Sequence, residues 1–161
     1  MRWLEVIGKT PAQSRTEMVQ IVYNGHINGS RRLFGGKLME WIDTVAAVVA
    51  RRHAGSEVTT AAVDTLRFQE GVTLNSTVVL VGTLTYTGRT SMEVRVDTFV
   101  EHLSGVRRQV NQAYLVFVAL DEMGHPTPVP PILPQTQAEK NDYEAGRRRQ
   151  ELRRQRRNEN F

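Results

Sequence analysis

From Asn28 to Asp43 the chain reads Asn-Gly-Ser-Arg-Arg-Leu-Phe-Gly-Gly-Lys-Leu-Met-Glu-Trp-Ile-Asp. Three groups in this stretch could do chemistry together. Asn28 offers a carboxamide from a loop. Gly35 and Gly36 form a pair at a helix start, where the lack of a Cβ lets a ligand approach the backbone closely. A helix N-terminus also carries unsatisfied N–H groups and a partial positive charge. That combination suits a carbonyl oxygen turning into an oxyanion. Asp43 places a carboxylate two turns further on, among apolar neighbours. A buried carboxylate is costly unless it is paired or its pKa shifts, so Asp43 reads either as an edge residue bound to Arg or water, or as a working acid or base.

The elements that must position these groups follow from periodicity. Leu38, Ile42, Val45 and Val49 repeat at helical spacing, with Met39, Asp43, Ala46, Ala47 and Ala50 on a neighbouring face. The helix is expected over 36–53, apolar nearly all round and therefore buried, with Gly55 as its stop signal. A first strand is expected over 15–23 and an Asn- and Gly-rich loop over 24–34. Val- and Thr-rich strands are expected over 57–69, 76–86, 91–101 and 107–120, with turns at 87–89 and 102–105. Residues 123–135 hold all but one of the six prolines and read as an extended crossing segment. A polar helix is expected over 137–157. A run of strands after one long helix implies an antiparallel sheet with the helix against one face. The organisation is a leader over 1–13, a domain over 14–122, the Pro-rich segment over 123–135 and a basic C-terminal helix and tail over 136–161.

Composition sets bounds. A chain of 161 residues with 40% hydrophobic and 24% charged residues reads as one globular domain with room for a core. It has no apolar run of membrane-spanning length and no basic-then-apolar leader, and the cytoplasm is the expected compartment. With no cysteine there is no disulfide, thiolate metal site or cysteine nucleophile. His26, His53, His102 and His125 are scattered without metal-ligand spacing, so no metal is expected. A Ser-His-Asp hydrolase is disfavoured because no Gly-x-Ser-x-Gly elbow occurs. Charge is uneven. Between Arg147 and Phe161 seven arginines face two glutamates, while the whole chain carries only +4. No aromatic residues interleave with these arginines, which argues against nucleic acid. The tail reads as a solvated helix end or as a source of Arg forks for phosphate.

Two further blocks join the first: Thr87-Gly88-Arg89-Thr90-Ser91-Met92-Glu93-Val94, and, more weakly, 60–68. Together with Asn28, Leu33-Phe34-Gly35-Gly36 and Asp43, they resemble the hotdog-fold acyl-CoA thioesterases of the cytosolic acyl-CoA hydrolase family. The resemblance covers roughly 17–120. It implies an α+β hotdog fold, a sheet wrapped around a long central helix. It implies hydrolysis of acyl-CoA to a fatty acid and coenzyme A, with coenzyme A as part of the substrate and no separate cofactor. In that reading the catalytic set is Asp43, as general base or nucleophile, Asn28, and the Gly36 N–H. Gly35, Gly88, Arg89, Thr90 and Ser91 would hold the substrate and its coenzyme A end. The resemblance also implies homodimers with sheets paired edge to edge, Asn28 and Asp43 meeting across subunits, and assembly to a trimer of dimers. Phe34 and Trp41 are expected in the core or an interface.

The family usually has a small residue, often Gly, three positions after the Asn. Here that position is Arg31, followed by Arg32, which implies an altered loop and leaves His26 and Asn24 as substitutes. Other readings are a non-catalytic acyl-CoA sensor and a hotdog hydratase or dehydratase; the latter wants a His with an acidic partner, and only His26 lies near.

Overall fold

The computed structural model describes residues 7–160; the first six residues of the expected leader, and Phe161, lie outside them. Five strands form one antiparallel sheet: β1 (Thr16–Ile21), β2 (Glu57–Phe68), β3 (Thr77–Thr87), β4 (Ser91–Glu101) and β5 (Arg107–Leu120). Their order across the sheet is β1-β3-β4-β5-β2, so β1 and β2 are the edges. Helix α1 (Gly35–Ala54) crosses one face, and helix α2 (Gln137–Asn158) lies on the other. This is the hotdog arrangement, a sheet around a central helix.

Local chemistry sets the ends of α1. Gly55 adopts the left-handed conformation (φ 67°) and its N–H closes on the Arg51 carbonyl, while Arg51, Arg52 and His53 in the last turn oppose the helix dipole. The expected stripe of Leu38, Ile42, Val45 and Val49 is fully buried. It packs on the inward residues of the strands, among them Leu80, Leu84, Val94, Val96, Leu115 and Phe117. Each such side chain contributes about 1.5–3 kcal/mol by leaving water. Gly82 lies under the helix because a Cβ there would come within 2.8 Å of the Val49 side chain.

Alternation decides what the other face carries. Met92 and Val94 belong to the core around α1, so Glu93, between them on β4, must point the opposite way. It is buried there, 1% exposed, and met by α2: Arg149 lies 2.8 Å and Arg153 3.1 Å from its carboxylate. Arg153 also reaches Asp64 on β2 at 3.3 Å. The Arg149 guanidinium stacks 3.9 Å above the Tyr114 ring. Arg95 on β4 pairs with Asp142 at 2.8 Å. The arginine run is therefore not a solvated, frayed helix end throughout; Arg149, Arg153 and Arg156 fasten it to the sheet through ion pairs with Glu93 and Asp64.

Several boundaries differ from expectation, β2, β3 and α2 by a single residue at one or both ends. The first strand is shorter than 15–23, because Tyr23 leaves the sheet to open a 3-10 turn at Asn24–His26. Part of the leader is regular: Pro11–Gln13 forms a 3-10 turn, and Lys9 pairs with Ile132 of the Pro-rich segment. α1 begins one residue earlier, at Gly35, and ends one later. β4 and β5 have the expected bounds. Among the described residues no helix is long and apolar enough to cross a membrane.

Candidate active site

The N-terminus of α1 is open. Its cap residue, Phe34, makes no side-chain cap, and its carbonyl accepts from Lys37 and Leu38. The N–H groups of Gly35 and Gly36 find no acceptor among the described residues. Glycine at position 36 has a local reason, since a Cβ there would lie 2.5 Å from the Phe34 ring. Phe34 itself is 57% exposed because it sits outside the helix at its mouth, so of the core or interface placement expected for it only the core is excluded. Trp41 is buried as expected.

Asp43 follows Gly36 by seven residues, which places both on one face about 10 Å apart along the axis. Helical side chains lean toward the N-terminus, so the carboxylate reaches back toward the Gly36 N–H. Both line one cavity of about 350 Å³, whose apolar wall includes Met39, Ile42, Val63, Leu66 and Leu115. Asp43 is half-buried rather than enclosed. The reason is β2: as an edge strand it covers the helix from one side only. The Thr60 hydroxyl, on that strand, donates to Asp43 Oδ1 at 2.8 Å, and Oδ2 has no partner among the described residues. One oxygen is thus fixed and the other free.

Thr60 opens the weaker 60–68 block, where nothing in the sequence gives it a role. A hydroxyl on a strand meeting a carboxylate on a helix leaves no local pattern to read. The strand is irregular here, with register shifts between Thr60 and Ala62 and between Asp64 and Arg67. Thr65 sits at φ 55°, a costly conformation for a β-branched residue.

Asn28 lies in an exposed loop, and its carboxamide oxygen accepts from the Ser30 and Arg32 N–H groups at 2.9 and 3.2 Å. Its Nδ2 is left for another partner. Within one chain Asn28 does not line the Asp43 cavity. Arg31 resolves the expected change of loop shape. It adopts φ 59°, the region glycine favours, so this turn keeps a glycine-type backbone with an arginine in it. The substitutes proposed for Asn28 have structural work instead. His26 accepts from the Tyr23 N–H at 3.1 Å and packs edge-on against Trp41, and Asn24 begins the 3-10 turn.

The second block forms the β3–β4 turn, where the Gly88 N–H donates to the Ser91 carbonyl at 2.9 Å. Gly88 is required by packing: a Cβ would lie 2.6 Å from Ser91 Oγ and 2.9 Å from Gln150 of α2. Thr90 and Ser91 line a groove of about 700 Å³ between α2 and the sheet; Gly88 and Arg89 do not. Arg89 is exposed, and its carbonyl accepts from Val129. Glu93 also lines the groove, and behind it the Thr85 hydroxyl donates to Glu93 at 2.7 Å. Burial pushes the Glu93 carboxyl up, but hydrogen bonds from Arg149 and Thr85 and the charges of Arg149 and Arg153 together hold it below the usual range. Among the described residues no group of three or more His, Asp or Glu is placed to hold a metal ion.

Comparison with known proteins agrees with this geometry. The thioesterase superfamily matches residues 31–104. An uncharacterized acyl-CoA thioester hydrolase of Bacillus subtilis is 38% identical over 128 residues, 79% of this chain and 74% of that protein. The cytosolic acyl coenzyme A thioester hydrolase of Rattus norvegicus is 31% identical over 87% of this chain, which spans only 38% of that longer protein. Among solved structures, an acyl-CoA hydrolase from Staphylococcus aureus, in complex with butyryl coenzyme A, coenzyme A and coenzyme A disulfide, superposes with a TM-score of 0.89. It has 33% identity over 94% of this chain and 93% of its own. In its own numbering that enzyme has also been solved as Asp43→Ala, Asn28→Ala and Thr60→Ala variants. A hexameric acyl-CoA thioesterase without ligand gives a TM-score of 0.88 and 39% identity, over 93% of this chain and 97% of its own.

Proposed function

Because the chain belongs to the thioesterase superfamily, as an acyl-CoA thioester hydrolase of hotdog fold, we propose that Asp43 and the Gly36 N–H form its hydrolytic centre. The observation that carries this is their shared cavity, with an open helix N-terminus at one end and a carboxylate fixed by Thr60 on the same face. The thioester carbonyl accepts from the Gly36 N–H, helped by the helix dipole, and gains charge as it is attacked. Asp43 either takes a proton from the attacking water or attacks the carbonyl itself, giving an acyl–aspartyl anhydride that water then opens. Both routes break the C–S bond, release coenzyme A as the thiol and leave the fatty acid. The apolar wall of Met39, Ile42 and Leu115 receives the acyl chain, and Gly35 allows its close approach.

The remaining assignments belong to the same proposal. Asn28 reaches the Asp43 of another copy and orients water or carbonyl through its free Nδ2. Copies pair as dimers through sheet edges and assemble as trimers of dimers. The existence of a hexameric structural neighbour supports an oligomer of that order. Thr90 and Ser91 face the coenzyme A end; Gly88 serves by packing, and Arg89 by reaching the ligand from outside the groove. The hotdog unit of 14–122 holds the chemistry, 1–13 and 123–135 brace it, and 136–161 serves recognition. No bound cofactor is needed, and the compartment is the cytoplasm. Names of the relatives speak for hydrolysis over a sensor or a hydratase.

Thiol release from acyl-CoAs of graded chain length tests the activity. Mixing inactive Asn28→Ala and Asp43→Ala proteins tests the shared site: recovered activity supports it, whereas none after proven subunit exchange contradicts it.

A further inference from the structure

One polar side chain sits where the sheet calls for an apolar one. Along β5, Ala113, Leu115, Phe117 and Ala119 belong to the core around α1. Alternation puts Asn111 in the same row, and it is buried there, 1% exposed. Its Nδ2 donates to the Arg67 carbonyl, while its Oδ1 has no partner among the described residues. Burying an amide with one end unsatisfied is costly, and what the fold gains in return is the bond to Arg67.

That bond holds the end of an edge strand. β2 slips in register against β5 between Asp64 and Arg67, and Thr65 sits at φ 55°. Beyond the slip, Phe68 pairs with Asn111, and the Gln69 N–H donates to the Val110 carbonyl at 3.3 Å. Among the described residues no strand pairs with the other side of β2. The Asn111 carboxamide is therefore an added tie at the point where the strand resumes. The strand end in turn meets the start of α1. A Cβ on Gly35 would lie 3.3 Å from the tip of the Phe68 ring, so the ring rests against the Gly35 backbone. Further on, the Val72 carbonyl accepts from the Leu33 N–H at 2.6 Å. The segment 67–72 thus runs alongside the turn that presents the Gly36 N–H.

We propose that Asn111 is a positioning residue for the oxyanion site. It fixes Arg67 and Phe68, and the Phe68 ring sets the Gly35–Gly36 turn from which the thioester carbonyl is polarised. Asn111 does not line the Asp43 cavity, so it acts through the backbone and not on the substrate. An oxyanion donor works only at hydrogen-bond distance from the developing charge, and a small misplacement costs rate more than binding. This rests on the hydrolase reading above.

The test compares Asn111→Leu, which keeps the size and loses the donor, with Val110→Ala, which thins the core at the neighbouring residue. Asn111→Leu is expected to lower kcat for an acyl-CoA at least about tenfold, with KM and oligomeric mass little changed. Val110→Ala is expected to lower the melting temperature and leave kcat little changed. An unchanged kcat in folded Asn111→Leu overturns the proposal, as does an equal loss in Val110→Ala, which would mean general loosening. Infrared spectroscopy reads the site directly. In an Asp43→Asn background, where bound ester persists, the carbonyl stretch of an isotope-labelled thioester falls as it accepts from Gly36. Asn111→Leu is expected to lose part of that fall, and an undiminished fall overturns the proposal. Amide NMR of the free protein, labelled at glycine, separates this proposal from the hydrolase reading. If no ester is turned over but the Gly35 and Gly36 signals shift in Asn111→Leu and not in Val110→Ala, the tie stands and the hydrolase reading fails. Signals that stay in place overturn the tie. Should Asn111→Leu not fold, Phe68→Ala, at a ring 54% exposed, carries the same expectations for kcat and the carbonyl stretch.

Discussion

The two faces of the sheet carry helices of similar length, 20 residues in α1 and 22 in α2, held by opposite means. α1 is fastened by apolar burial, and its one carboxylate facing the sheet, Asp43, stays half-buried at an edge. α2 buries almost no apolar surface. It is fastened by ions, with Glu93 nearly inaccessible between Arg149 and Arg153. Apolar packing supplies most of what fixes α1, with a few polar ties such as Thr60–Asp43 and His53–Pro130, and the Gly36 N–H and Asp43 Oδ2 keep no partner among the described residues. On the other face the ion pairs of Glu93 and Asp64 take up Arg149, Arg153 and Arg156.

The contrast breaks most visibly at Glu93. Replacing it by Ala leaves Arg149 and Arg153 partly uncompensated in a buried place, and should cost about 3–5 kcal/mol in denaturant unfolding. Replacing Glu93 and Arg149 together by Met should cost much less. If the double change costs as much as the single one, the ions are not what matters there. On the opposite face, Ile42→Ala removes buried methylenes and should cost about 2–5 kcal/mol, without the rescue a second substitution gives at Glu93. At the start of α2, the Thr136 hydroxyl accepts from the Glu139 N–H and the Glu139 carboxylate caps in return. Thr136→Ala should cost about 1 kcal/mol.

Acid should separate the faces by pH. His53, at the end of α1, is buried and bonds the Pro130 carbonyl through Nε2 at 2.6 Å, with no partner for Nδ1. Burial lowers its pKa from 6.5, against the Pro130 bond. The folded state therefore takes up its proton later than the unfolded one, and stability is full above about pH 6.5 and declines as pH falls toward the lowered value. Glu93, also lowered in the folded state from 4.5, contributes stability that is full above that pH and is lost as pH falls through its lower folded value. An unfolding series from pH 7 to 3 should show the first loss vanish in His53→Gln and the second remain.

How far these faces could be read in advance follows the same division. The apolar stripe of α1, its Gly55 stop and the alternation of β4 and β5 are local patterns, and the structure has them with little change. Gly36 and Asp43 were legible because both sit on one helix seven residues apart. The Thr60 bond to Asp43 and the Glu93 network were not. They join residues far apart in the chain, 56 positions in the case of Arg149 and Glu93. A charged helix looks solvated until its buried partners are known. Arg31 implies an altered loop when judged by residue type alone, which does not reveal that it holds the glycine-type φ of 59°.

If Asp43 carries the chemistry as proposed, its loss must show in turnover rather than in substrate binding. Steady-state kinetics of Asp43→Asn on an acyl-CoA tests it most directly, since the amide keeps the shape and the Thr60 contact but cannot take a proton or attack. We expect kcat to fall by about 10²–10⁴, with KM within a few-fold and the melting temperature unchanged. A kcat within a few-fold of wild type in a folded protein, or a loss confined to KM, would contradict it.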